Sequence, residues 1–405
     1  MSKKEKEINF AQMLDGVKTM NDFEGIMGSL YKQGIQHLLE SEMSHLLGYE
    51  KHNPEGNNSG NSRNGYTSKK LKSTDGELEI KVPRDRNSDF DPLVVPKGQS
   101  TTQKIEQVII GLYSRGMSTA DITNQIEEIY GLNVSKSFIS SITDKMVVHI
   151  QEWQNRSLEA LYLILWMDCI VFKVRHEGKI INKSIYIVLG LKENGKKEVL
   201  GLWIHQGESA SFWLNVMTDL KERGVQDVLI ACTDNLAGFT KAIEASFPQA
   251  VSQLCMVHQI RNSIKYVPWN DRKLFLTDLK LVYKAVNLEE AELQFQAFKN
   301  TWSSKYPYAI RSWEANWKEL TAYFEYPPEM RKIMYTTNTI EGLNRGIRKF
   351  TKTKTIFPTD QAAIKSVYLA IEQIERKWTM PIRKWNLILN QFLIKFEERF
   401  KILKN

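Results

Sequence analysis

The chain has 405 residues, of which 42% are hydrophobic and 25% charged, with ten Trp; this allows two or three folded domains and excludes wholesale disorder. A net charge of +8 is compatible with a polyanionic partner without proving one. Three cysteines with no Cys-x-x-Cys pair exclude a disulfide framework and a four-ligand zinc site, and no apolar run is long enough to span a bilayer, so a cytoplasmic protein without membrane contact is expected.

Residues 1–50 read as helical, with apolar spacing through Phe23, Ile26, Met27, Leu30, Tyr31 and Ile35, closed by Gly48. The Asn/Gly/Ser-rich stretch 51–65 reads as an exposed loop. In 66–84, Leu78, Ile80 and Val82 alternate with charged residues, which predicts one or two short strands ended near Pro83. Helical character returns over 102–155. Gly116 and Gly131 break it, and Ser118 with Asp121 marks a helix start. This layout suits a DNA-binding helix-turn-helix segment, and equally a plain helical bundle.

At Leu161 the pattern changes. LYLILWMDCIVFKVR is a long, apolar, β-rich strand. Ile185–Leu191 and Glu198–Ile204 flank Asn194-Gly195, a strong hairpin signal. An amphipathic helix (211–223), a buried strand ending near Asp234 (228–232), a helix (239–245) and a short strand (252–257) follow. Residues 258–330 read almost wholly helical, and a helix is expected over 338–349. The expected fold class is α/β: a ribonuclease-H-like mixed-sheet catalytic core, interrupted by an all-helical insertion and preceded by a mainly helical N-terminal DNA-binding region. The corresponding domains are 1–100, a helix-turn-helix-like segment over 101–158, a first core part over 159–265, the insertion over 266–330, and the core's end with basic helices over 331–405. From Arg331 to Asn405 there are 16 Lys/Arg against six Asp/Glu, so the positive charge is concentrated at this end.

Three carboxylates stand out. Asp168 interrupts an apolar strand, where a charge is costly unless paired or metal-bound. Asp234 follows the C-terminal end of a second strand, where ligand sites of α/β sheets gather. Glu341 lies in the first turn of a later helix. Carboxylates suit Mg²⁺, and two such ions roughly 3.5–4 Å apart can serve both the attacking and the leaving oxygen of strand cleavage. Each acid also has a structural reading: Asp234 as a helix cap, Glu341 in a capping box with Asn338, and Asp168 on an exposed edge strand. Composition and spacing leave a candidate metal site.

The surrounding words are NSRNGYTSKK (61–70), VPRDR (82–86), MDCIVFKVR (167–175), TDNLAGFTKAI (233–243), QLCMVHQIRN (253–262) and YTTNTIEGLNRGIRK (335–349). With these, the sequence resembles the Mutator-like transposases of bacterial insertion sequences, from about residue 10 to 395. The resemblance implies that Asp168, Asp234 and Glu341, separated by 66 and 107 residues, are the catalytic and metal-binding DDE triad with Mg²⁺ or Mn²⁺ as cofactor. Its partners would be DNA, both terminal inverted repeats and target, and further copies of the chain in a dimer or larger assembly, with no small-molecule cofactor. It also implies a Cys-x-x-His motif at Cys255 and His258, structural or close to DNA. Ile340, Leu343 and Ile347 should pack inward, leaving Arg345, Arg348, Lys349, Lys352 and Lys354 to face phosphate. Arg175, His258, Asn338 and Asn344 complete the expected DNA contacts. Cys169 departs mildly from the pattern, since small residues are usual there. Two other readings share some features: a catalytically silent DNA-binding protein derived from such an enzyme, and a cellular nuclease. The first would be marked by loss of an acid or of the basic tail, both of which are present; the second would need neither the N-terminal part nor the insertion.

Overall fold

The computed structural model describes residues 14–56, 59–207, 209–234, 238–334 and 338–402, although the side chains of Asn338, Lys401 and Ile402 lie outside the description. The chain forms two compact units, Met1–Tyr113 with Met117–Asp144, and Ser114–Gly116 with Lys145–Asn405.

In the first unit, helix α1 (Met20–Leu47) begins at a capping box. Thr19 Oγ1 accepts from Asp22 N at 3.2 Å, and the Asp22 carboxylate accepts from Thr19 N at 2.9 Å. The helix ends at Gly48 in the left-handed region (φ 79°). Strands β1 (Arg63–Ser73) and β2 (Gly76–Asp85) pair antiparallel. They are longer than the sequence suggests, because β1 is too polar to show an apolar alternation. Leu71, Leu78 and Ile80 pack on Ile35 and Leu39 of α1. Gln36 of α1 hydrogen-bonds both backbone groups of Lys81, at 2.6 and 3.0 Å. Helices α2 (Gln103–Ser114), α3 (Thr119–Tyr130) and α4 (Lys136–Asp144) follow. The Ser118/Asp121 capping box starts α3 and Gly131 (φ 62°) ends it.

In the second unit, helix α5 (Met146–Gln154) precedes a five-stranded mixed sheet of order β5-β4-β3-β6-β7. Strands β3 (Leu161–His176), β4 (Lys179–Leu191) and β5 (Lys197–His205) run antiparallel. Strands β6 (Asp227–Thr233) and β7 (Val251–Leu254) extend the sheet in parallel with β3. The β3–β4 turn is Glu177-Gly178, both at positive φ (47° and 77°), as a two-residue hairpin loop requires. At the β4–β5 turn a side chain on Gly195 would come within 2.5 Å of the Trp385 ring, and φ is 77°, so two separate constraints call for glycine.

Being central, β3 is buried on both faces, which accounts for its unbroken apolar run. On one face, Tyr162, Leu165 and Met167 pack with helices α6 (Ala210–Glu222) and α7 (Phe239–Ser246). On the other, Leu163, Ile164 and Trp166 join the core built by the later helices. These are α8 (Met256–Ile264), α9 (Trp269–Tyr283), α10 (Leu288–Trp302), α11 (Pro307–Ala315), α12 (Trp317–Thr321), α13 (Pro328–Met334), α14 (Asn338–Thr351), α15 (Asp360–Glu375), α16 (Trp385–Lys395) and α17 (Glu397–Ile402). Among the described residues no helix is long and apolar enough to cross a membrane.

Candidate active site

The site is set by strand register. The last β3–β6 pair is Trp166↔Cys232. Two residues further along each parallel strand stand Asp168 and Asp234, so the register itself brings the two acids side by side. Beyond them the same edge of β3 is closed by Phe357, whose N donates to Lys173 O at 2.8 Å and whose O accepts from Arg175 N at 2.9 Å. Between these two closures Asp168 faces a gap in the sheet.

Asp168 is 8% exposed. Its Oδ1 accepts from Cys169 N at 2.8 Å and its Oδ2 from Asn344 Nδ2 at 2.7 Å. Burial raises its pKa above the ordinary carboxylate value; the backbone bond from Cys169 and the nearby His258 oppose this, and Glu341 adds to it.

Helix α8 brings in the third group. Cys255 N donates to Thr233 O at 2.7 Å, tying the start of α8 to the end of β6. Cys255 Sγ is the N-cap acceptor for His258 N at 3.3 Å. The Cys-x-x-His spacing is therefore a cap followed by the third residue of its helix, and it aims the imidazole at the acids. One ligand atom each of Asp168, Asp234 and His258 lies within 4.8 Å of the others. Burial lowers the His258 pKa, which Asp168 opposes, so the ring favours its neutral form. Its Nδ1 has no hydrogen-bond partner among the described residues.

Helix α14 supplies the fourth. Ile340, Leu343 and Ile347 are buried at 1%, 1% and 0% exposure, as their spacing predicts, and set Glu341 and Asn344 on the side facing β3. Glu341 is outside the tight cluster of three. Its Oε1 lies 3.0 Å from Arg261 Nη1, an ion-pair distance without hydrogen-bond alignment, since the same oxygen has no hydrogen-bond partner. Arg261 sits one turn after His258 on α8 and was not singled out from the sequence, although it lies within QLCMVHQIRN.

Arg175, Arg345, Arg348 and Lys349 are exposed. Among the described residues, none of the four has an ion-pair partner. Lys354 turns inward instead: its Nζ donates to Ser366 Oγ at 3.1 Å, and burial beside Lys365 pushes its pKa down to about 7. Asn344 is committed to Asp168, while the expected contact of Asn338 lies outside the described residues. The three cysteines are unbridged.

The two close carboxylates of Asp168 and Asp234 are oxygen donors that fit a hard divalent cation, whose charge would offset the burial of Asp168. A model of the family described as "Transposase, Mutator family" matches residues 1–381. The chain belongs to the Mutator family of transposases. It is 39% identical to a probable transposase for an ISRM3-like insertion sequence element of Sinorhizobium fredii, over 98% of this chain and 99% of that one. It is 38% identical to the transposase for insertion sequence element ISRM3 of Rhizobium meliloti, with the same coverage. The transposase for element IS905 of Lactococcus lactis is 32% identical, over 92% of this chain and 95% of its own. Membership of this transposase family makes the chain a DNA-processing enzyme and implies a divalent metal.

Proposed function

We propose that this transposase binds the terminal inverted repeats of an insertion sequence and cuts and joins DNA strands by metal-dependent phosphoryl transfer, with Asp168, Asp234 and Glu341 as its acidic triad. The observation that carries this reading is the β3–β6 register, which sets Asp168 beside Asp234 under the helix that holds Glu341. The sheet order, three antiparallel strands followed by two parallel ones, supports a ribonuclease-H-like core.

Asp168 and Asp234 would hold Mg²⁺ or Mn²⁺, with Glu341, which lies beside Arg261, as the third acidic ligand. When bound, the ions supply the charge that stabilises the attacking and leaving oxygens. Asn344 fixes the Asp168 carboxylate, so that little reorganisation is needed during the reaction. Neutral His258 offers its unpartnered ring nitrogen to the scissile phosphate. Arg175, Arg345, Arg348 and Lys349 contact the DNA backbone, which makes affinity fall with salt. Several copies of the chain bring two element ends together.

The test is a labelled duplex carrying the element's terminal repeat, incubated with protein and Mg²⁺, Mn²⁺ or EDTA. Cleavage at the repeat end with metal and none in EDTA is expected. Specific binding without cleavage in either metal would favour the catalytically silent DNA-binding reading.

A further inference from the structure

The helical hairpin α9–α10 carries a surface that the proposed chemistry does not use. Its inner side is core: Phe275, Leu279 and Val282 from α9, and Ala291, Phe295, Phe298 and Trp302 from α10. Its outer side is also apolar along the middle. Leu274, Leu281 and Leu293 are 61%, 55% and 65% exposed, and Val286 in the connecting turn is 81% exposed. Leu281, Val286 and Leu293 line an open groove of ≈ 800 Å³ between the helices. On α9 and its C-cap residue, Leu274, Thr277, Leu281 and Lys284 follow the alternating three- and four-residue steps of a helix-pairing seam. Exposed leucines at that spacing are unusual on a fully solvated helix.

The charges flanking this stripe are segregated. The outer side of α9 and the turn that follows it carries Lys273, Lys280 and Lys284; that of α10 carries Glu289 and Glu292. Among the described residues, none of the five has an ion-pair partner. A helix with a basic outer side beside one with an acidic outer side, with an apolar stripe between, is a surface complementary to itself after a two-fold rotation. The lysine side of one copy then meets the glutamate side of the other, and the leucines meet in the middle. A DNA duplex on the same face would meet Glu289 and Glu292.

We infer that α9–α10 is a homotypic docking surface, on which the hairpin of a second copy packs to form an antiparallel four-helix arrangement. Each helix has 15 residues. At about 1.5 Å per residue and ~10 Å per helix diameter, the face covers roughly 450 Å² per copy. That is below the ~800 Å² per partner of a stable complex, so the contact is weak and reversible by itself. Such a contact suits an assembly that forms when DNA raises the local concentration of copies.

The test uses sedimentation velocity on the full chain over roughly 1–200 µM without DNA. Two charge-swapped variants, Lys280→Glu/Lys284→Glu and Glu289→Lys/Glu292→Lys, alter only exposed positions; circular dichroism checks that each is folded. Wild type is expected to shift towards dimer with concentration. Each variant alone should lose that shift, and an equimolar mixture of the two should regain it. A wild type that stays monomeric throughout, or variants that associate like wild type, would overturn the inference. So would a Lys→Glu variant that loses DNA affinity while association is unchanged, since that would assign the face to nucleic acid.

Discussion

Asn344 Nδ2 donates to Asp168 Oδ2 at 2.7 Å, joining residues 176 positions apart in the chain. The bond locks helix α14 to strand β3 at the point where the acids gather. It also fixes which way the Asp168 carboxylate faces.

Asn344→Ala should therefore lower the cleavage rate while leaving affinity for terminal-repeat DNA intact. A hydrogen bond to a charged group is worth about 1.5–3 kcal/mol, on the order of a 10- to 100-fold loss in rate. Single-turnover cleavage beside a gel-shift titration separates the two effects. Loss of binding with unchanged cleavage of bound DNA would instead make Asn344 a DNA contact.

Asp168 carries a stability cost. Its folded pKa is raised by burial, so the folded state binds its proton more readily than the unfolded chain does. The metal-free protein should therefore gain stability as pH falls through that raised value and lose it as pH rises. At neutral pH without metal, Asp168→Asn should melt higher, on the order of a few °C. Adding Mn²⁺ should raise the wild-type melting temperature and leave that of the variant nearly unchanged. A thermal-shift series with and without Mn²⁺, in EDTA-treated buffer, checks both signs.

Cys255 caps α8 through its sulfur. Serine is a stronger cap, so Cys255→Ser should keep both stability and cleavage, whereas Cys255→Ala should lose the cap at a cost at or below the low end of the about 0.5–2 kcal/mol of an oxygen cap. If the cysteine held zinc with His258, serine would fail as alanine does. Urea unfolding of the two variants distinguishes these cases.

Much of this was legible in the sequence. The apolar run with Asp168 at its centre predicted a long strand, and the i, i+3, i+7 spacing of Ile340, Leu343 and Ile347 predicted the inward face of α14. The Glu177-Gly178 hairpin was not predicted, because glutamate is not a usual turn former and only the backbone shows its positive φ. Arg261 and the role of Asn344 were equally hidden: each acts on a residue far away in the chain, and single-sequence periodicity carries no information about such pairs. Lys354 sits among exposed basic residues in sequence, and only the packing of α15 turns it inward.

Lys354 gives a second pH-dependent prediction. Its folded pKa of about 7 lies below the ordinary lysine value of 10.5, so folding expels its proton between those limits. Its contribution to stability should rise with pH from about 7 to 10.5 and be least favourable below 7. Lys354→Met should raise the melting temperature most at pH 6, with the gain vanishing towards pH 10.5. A melting series over that range in both proteins measures it.

In the proposed mechanism Asp168, Asp234 and Glu341 act together to cut DNA. The most direct measurement is metal-dependent cleavage of a labelled terminal-repeat duplex by Asp168→Asn, Asp234→Asn and Glu341→Gln, with DNA binding followed in parallel. All three variants are expected to bind DNA as wild type does, and none to cleave detectably in Mg²⁺ or Mn²⁺. Cleavage at the wild-type rate by any of the three would remove that residue from the site and contradict the triad.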